Sequence, residues 1–260
     1  MITTMTKRPL AALALAAFAS APAALPLPAQ ASAAAPAAAA RPASAAAPAA
    51  QASGAATRVD CAKVKCIALT FDDGPGPYTA RLLATLRKHR AKATFFLVGK
   101  RVAERPKLAR RIAREGHEIG NHSYGHESLP ALPDFDLAAE LSRTQDVIRR
   151  ATGKRPRIMR PPYGHTDARV RAAAKEHGLA QVLWTGTTLD WSLRDTRKIE
   201  DTVLRLAKPN AVILMHDVVP HTVRAMPRVL RELRKRGYRF VTVSALAGPG
   251  RLTPGASFPR

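Results

Sequence analysis

Between Arg58 and about Leu246, short runs of apolar and β-branched residues alternate with longer stretches in which apolar residues recur every three or four positions. The short runs suit buried strands of a parallel sheet, and the longer ones suit amphipathic helices packed over it. Seven strands are expected, near Cys66 to Phe71, Ala93 to Val98, Glu118 to Asn121, Arg157 to Arg160, Gln181 to Thr185, Ala211 to Met215 and Arg239 to Val243. Between them, helices are expected near Thr79 to His89, Pro106 to Glu115, Asp136 to Ala151, Asp167 to His177, Arg197 to Ala207 and Thr222 to Arg236. The last of these sets Met226, Val229, Leu230 and Leu233 on one face, and Gly178 and Gly237 stand where helix ends favour glycine. Seven strands with six helices between them predict an α/β fold, a distorted, incomplete (β/α)7-type barrel. Periodicity cannot see closure, so a flat doubly wound sheet is the alternative.

The flanks of this segment differ in composition. Residues 1–31 read as a signal peptide: Lys7 and Arg8 form a basic start, Leu10 to Phe18 an apolar run, and Ala29-Gln30-Ala31 a small-residue cleavage site. Ala19-Ser20-Ala21 is a competing cleavage site. The apolar run is short and is followed by Pro22 and Pro26, which argues against an uncleaved anchor, and no later segment is long enough to span a bilayer. Residues 32–57, 16 of which are Ala, read as a disordered Ala/Pro-rich linker, and residues 58–247 as the one folded domain. Residues 248–260, with three Pro and three Gly, read as a flexible tail. Export implies a secreted, extracellular or wall-associated protein in an oxidising compartment, where Cys61 and Cys66 are expected to form a disulfide bond. The 260-residue chain carries 42 Lys and Arg against 19 Asp and Glu, a formal charge of +23, of which the leader holds two basic residues. The domain itself is therefore basic, which draws polyanions and leaves topology open.

Unusual polar residues fall at one end of the expected strands. TFDDGPGP follows the first strand, NHSYGH the third, RPPYG the fourth, TTLDW the fifth and MHD the sixth. These are carboxyl ends, where parallel barrels and sheets place their sites. His122 and His126, four apart, can meet one ion if their loop turns helically, and a carboxylate from Asp72 or Asp73 would complete three ligands with positions left open. Successive strand side chains point to opposite sides, so one of these Asp residues suits the ion and the other the substrate. Taken alone, the Asp pair fits a turn cap and the His pair a solvated loop equally well. Arg160, before the rigid Pro161-Pro162-Tyr163-Gly164 turn, could orient a carboxylate base, while a fixed backbone N–H there could receive an oxyanion. An aspartate, Asp190, paired with His216 would favour imidazolium and so a general acid, with Trp191 and Leu214 as apolar wall. Blander roles suit the other histidines: His89 and His177 as helix ends, His117 as structural, and His165 and His221 near the site face with no spacing that demands chemistry.

Taken together and in order, TFDDGP, HSYGH, RPPYG, LDW and LMH resemble the five motifs of the NodB-type polysaccharide deacetylases, carbohydrate esterase family 4. The resemblance covers nearly all of Arg58 to Leu246, which would then be the catalytic NodB homology domain. It implies Asp72 as catalytic base, Asp73, His122 and His126 as metal ligands, and Tyr163 as the backbone N–H donor to an oxyanion. It further implies that Arg160 orients Asp72, that Asp190 tunes the acid His216, and that Trp191 and Leu214 line an acetyl pocket. The cofactor implied is a divalent metal, Zn²⁺ or Co²⁺, and the reaction is hydrolysis of N-acetyl groups of N-acetylglucosamine in peptidoglycan or chitin-like chains. Thr187 departs from the motif, which usually has an Asp three residues before the DW aspartate, and altered local hydrogen bonding is expected there. An O-acetyl xylan esterase of the same fold and a catalytically silent basic wall-binding protein are the alternatives. The basic surface is expected to meet anionic wall polymers rather than nucleic acid, because no aromatics interleave on the basic helices.

Overall fold

The computed structural model describes residues 59–259. The expected signal peptide and linker lie outside the described residues. Nine strands form one parallel sheet: β1 (Cys66–Asp72), β2 (Thr94–Leu97), β3 (Glu118–Asn121), β4 (Ile158–Met159), β5 (Ala180–Val182), β6 (Gly186–Thr187), β7 (Ala211–His216), β8 (Arg239–Phe240) and β9 (Ser257–Phe258). The helices are α1 (Thr79–Lys88), α2 (Gly99–Glu104), α3 (Pro106–Arg114), α4 (Asp134–Thr152), α5 (Ala168–Glu176), α6 (Asp190–Leu193), α7 (Thr196–Leu206), α8 (Pro220–Lys235) and α9 (Val243–Ala247).

The strands run in the order β6-β7-β1-β2-β3-β4-β5-β9, with β8 paired to the start of β1 on the edge opposite β7. β5 and β6 stand toward opposite ends of this order, yet only residues 183–185 separate them in the chain. Four peptide steps reach at most about 14 Å, so the sheet must curl until its ends nearly meet. That is an incomplete barrel, as the strand count predicts, and not a flat sheet. β1 at its centre is apolar except at Thr70 and Asp72 and buried at every position, the pattern of a strand covered on both faces. Leu69, Phe71, Phe95 and Ile213 belong to the larger core cluster with Leu82, Leu86, Val229 and Leu233 of the outer helices. The barrel interior is smaller and includes Ala68, Phe96, Val182 and Val212. A disulfide bond joins Cys61 to Cys66, the first residue of β1.

The structure departs from the sequence reading in three places. The fifth expected strand is split, because Leu183 N–H turns to Phe258 O while Thr185 N–H bonds Val212 O at the other sheet end. The expected flexible tail instead supplies β9, which pairs with β5, and Phe258 packs against the inner core. Helices α2, α6 and α9 span 6, 4 and 5 residues, too short for a 3.6-residue period to register. Among the described residues no helix is long and apolar enough to cross a membrane.

Candidate active site

The ends of β1 and β7 fix the first pair of groups. The register places Asp72 opposite His216, so two titratable side chains leave adjacent strands at one level. Asp72 Oδ1 accepts a hydrogen bond from Arg160 Nη1 at 2.8 Å. The Arg160 side chain is fully buried, and all three of its nitrogens are engaged: Nη1 also bonds Thr70 Oγ1, Nε bonds Val182 O and Nη2 bonds Leu183 O. Its guanidinium lies 4.2 Å from the centre of the Phe96 ring. Burial pulls the Arg160 pKa down and the Asp72 charge opposes this, so the cation is compensated inside the barrel.

His216 is set from the other side. Its Nδ1 stands 2.8 Å from Asp190 Oδ1, and its own backbone N–H donates to Asp190 Oδ2 at 2.8 Å. Thr222 Oγ1 donates to the same Oδ2. Burial alone would lower the imidazole pKa, but the Asp190 hydrogen bond and charge, with Asp72 and Asp73 behind them, push it up to about 9. His216 is thereby held as a donor at neutral pH.

Asp73, next along from β1, turns away from Asp72 in the left-handed region with φ 71°. Its Oδ1 lies 3.0 Å from His126 Nε2 and 3.4 Å from His122 Nε2. His122 Nδ1 sits 2.7 Å from Arg160 O, a carbonyl that can only accept, so Nδ1 carries the proton and Nε2 presents a lone pair. Asp73 Oδ1 is buried without a hydrogen-bond partner. A carboxylate oxygen and imidazole nitrogens converging within 4.8 Å of one another form a donor set that fits a divalent cation. Burial pushes the Asp73 carboxyl up, but the two imidazoles set against it outweigh this and hold it well below the usual range.

The loops that carry Asp73 and the two histidines are tied down by groups the sequence reading did not single out. Arg101 Nη1 donates to Asp73 O at 2.7 Å, and Val98 N–H donates to Gly74 O. Asp217 is fully buried against the same turn: it accepts from Thr79 Oγ1, which in turn accepts from Gly76 N–H, and a side chain at Gly74 would collide with its carboxylate. Burial pushes the Asp217 carboxyl up to about 7. On the histidine loop, Glu140 Oε2 of α4 accepts from Tyr124 N–H at 2.8 Å and Gly125 N–H at 2.7 Å. Asn121 Oδ1 accepts from Ser123 N–H, and Ser123 Oγ accepts from His126 N–H.

These groups surround a cavity of about 550 Å³ lined by Asp72, Asp73, His122, His126, Tyr163, Trp191, Leu214 and His216. Trp184, Leu189, Val218 and Val219 complete its apolar side. Every site residue expected from sequence is thus brought to one place, with Arg160 and Asp190 buried behind the lining. Tyr163 and Trp191 stand at the rim, 61% and 57% exposed. Tyr163 and Leu189, at φ 61° and 51°, share the left-handed backbone of Asp73, Ser123 and His126, and such conformations in non-glycine residues gather where a site is held under constraint. Thr187 also lines the cavity, its Oγ1 accepting from Leu189 N–H, and Asp190 keeps its bonds to His216 despite the absent carboxylate. His117 accepts from Ala93 N–H and packs on Phe95, a structural role as expected.

Residues 60–182 match the family model for polysaccharide deacetylase. A peptidoglycan-N-acetylglucosamine deacetylase of Bacillus cereus is 40% identical over 196 residues, 72% of this chain and 72% of that protein. A peptidoglycan-N-acetylmuramic acid deacetylase of Bacillus subtilis, PdaC, is 38% identical over 183 residues, 70% of this chain and 38% of that longer protein. A solved deacetylase with substrate matches with a TM-score of 0.74 and 40% identity, covering 77% of this chain and 99% of the other. The family 4 carbohydrate esterase from Streptomyces lividans, in complex with acetate, matches with a TM-score of 0.67 and 38% identity over 71% of this chain and 95% of that one. With this likeness spanning the barrel that carries the site, the chain belongs to the polysaccharide deacetylases, the hydrolases of carbohydrate esterase family 4.

Proposed function

We propose that this chain is an exported deacetylase that hydrolyses N-acetyl groups of N-acetylglucosamine in peptidoglycan. The reading rests on one observation above the rest: Asp72 and His216 stand side by side with opposite partners, a cation behind the first and an anion behind the second. Residues 1–31 are assigned as the signal peptide, 32–57 as linker and 58–247 as catalytic domain, and action at the wall follows from the substrate. Asp73, His122 and His126 would hold a divalent cation, with Zn²⁺ suited to their nitrogen and oxygen donors and Co²⁺ as a substitute. Such a cation supplies Lewis acidity toward the acetyl carbonyl and acidifies water.

The chain's own residues do the rest. Asp72, oriented by Arg160, takes the proton of the attacking water. The backbone N–H of Tyr163 faces the developing oxyanion, and Trp191 and Leu214 enclose the acetyl methyl. His216 gives its proton to the departing amine, leaving acetate and a glucosamine residue of the strand with a free amine. An amide leaves only when its nitrogen is protonated, and an imidazole held charged to about pH 9 meets that need better than an ester would require.

The test is acetate release from peptidoglycan, chitooligosaccharides and acetylxylan side by side. Peptidoglycan and chitooligosaccharides should be turned over and acetylxylan left nearly intact, and the reverse order would overturn the amide assignment. A tight chelator should abolish turnover and Zn²⁺ or Co²⁺ should restore it, while His122→Ala, which removes a donor outright, should lower metal retention by more than the roughly 10–100-fold that loss of a ligand's outer partner costs. Full activity of metal-stripped His122→Ala protein would refute the ligand set.

A further inference from the structure

Away from the cavity, the outer layer holds a second concentration of charge. Arg87 of α1 and Lys107, Arg110, Arg111 and Arg114 of α3 line a groove of about 590 Å³, with Glu115 as its single carboxylate. Glu115 is already shared, 2.6 Å from Arg111 and 3.8 Å from Arg87. None of these residues lines the active-site cavity.

The pattern works against the helix that carries it. Lys107 occupies the first turn of α3, where the helix dipole disfavours a cation and no acidic residue offsets it. Lys107 and Arg111, and Arg110 and Arg114, are four apart, and Lys107 and Arg110, and Arg111 and Arg114, are three apart. Like charges at these spacings destabilise a helix. The buried stripe of Ala109 and Ile112 holds α3 in place, with one bond added by Arg110 Nε to Ala151 O, and among the described residues Lys107 and Arg114 add none. The positive field continues over α1 to α8: burial, then Arg234, Lys88 and Arg231, hold the His89 imidazole below its ordinary pKa. Charge kept at a cost to the fold points to an anion outside the fold.

We infer that the α1–α3 groove is an anchoring site for the carboxylates of peptidoglycan stem peptides, separate from the site of cleavage. This rests on the reading of the substrate as peptidoglycan. Carboxylates repeat along such strands, and the planar guanidinium groups of Arg87, Arg110, Arg111 and Arg114 suit them. No aromatic side chain lines the groove, so bases have nothing to stack on. Each deacetylation turns a neutral amide into an ammonium group, so the groove favours unreacted strands over product.

The experiment is co-sedimentation of the full chain with sacculi freed of phosphate polymers, with the same sacculi after carboxylate amidation, and with sacculi that keep their phosphate polymers. Wild-type binding to the first should fall steeply from low to high salt and be lost on amidation. The combined variant Arg87→Gln, Lys107→Gln, Arg114→Gln should bind about tenfold more weakly. Its melting temperature should be unchanged or higher, and its turnover of a neutral chitooligosaccharide unchanged. A lowered melting temperature would make these charges structural, and Arg114→Glu alone then repeats the binding test. Undiminished binding by the variants would overturn the inference, as would a loss confined to sacculi with phosphate polymers. Wild type that pellets normally yet releases no acetate from the chitooligosaccharide would refute the deacetylase reading and leave the groove standing.

Discussion

At the scale of single residues, His216 shows how burial and charge are weighed against each other. Burial in the cavity wall disfavours the imidazolium, and Asp190 at 2.8 Å more than reverses it. Asp190→Asn keeps the shape and removes the charge, so burial should then dominate and the basic limb of kcat/KM should move down by at least about one pH unit. The acidic limb should stay in place, and pH profiles of both proteins with metal retained decide it. Limbs that coincide would break the Asp190–His216 pairing. The same shift bears on stability. Because the folded pKa is raised to about 9 from 6.5, the stabilisation is complete below about pH 6.5 and vanishes as pH rises through about 9, on the order of 3 kcal/mol in all. Asp190, His216 and the ligand residues were legible in sequence because Asp and His recur at successive strand ends, where packing gives them no reason to be. Asp217 was within reach, since it follows His216 in Met215-His216-Asp217, but only the fold shows it pressed on Gly74.

At the scale of elements, helices position the site from behind. Glu140 lies on α4, 18 residues before Ile158 of β4, and reads in sequence as one more charge on a solvated face. In the fold one of its oxygens takes two backbone N–H groups of the loop between His122 and His126. Glu140→Ala should give both donors over to water in place of a carboxylate, lowering stability by about 1–3 kcal/mol and loosening metal retention, while wild-type pH limbs persist. Denaturant unfolding and metal competition measure the two parts, and a variant equal to wild type in both would deny α4 this role. Arg101 escaped notice for a related reason. It sits on the six-residue α2, which shows no period, and its partner is a carbonyl that sequence cannot display. Strands were easier, since β1, β2 and β7 are continuous apolar runs, whereas the break between β5 and β6 depends on Phe258 and Val212, far along the chain.

At the scale of the whole molecule, the last residues reach back to the site. Gln181 N–H donates to Ala256 O and Leu183 N–H to Phe258 O, each at 2.8 Å, so β9 braces the strand whose Val182 and Leu183 carbonyls hold Arg160. Removing residues 253–260 should cost on the order of 2–4 kcal/mol from lost ladder bonds and the bared Phe258 site. Turnover should fall with it, because Asp72 loses the rigidity of its guanidinium partner. Thermal melts and acetate release on the shortened chain test this, and unchanged values in both would show β9 to be ornamental. Pro and Gly in that stretch gave a frayed reading because a two-residue strand has no signature of its own. The curled sheet also orders events in time. Thr70 bonds Ile213 O across 143 residues, and β5 waits for β9. Contacts so distant form slowly. A chain still being made carries Asp72, His122 and His126 long before His216 emerges, so on the proposed roles it would hold an acceptor for protons and no donor. Hydrolytic power should therefore arrive only after residue 216, and a polypeptide ended before it should be inert rather than partly active.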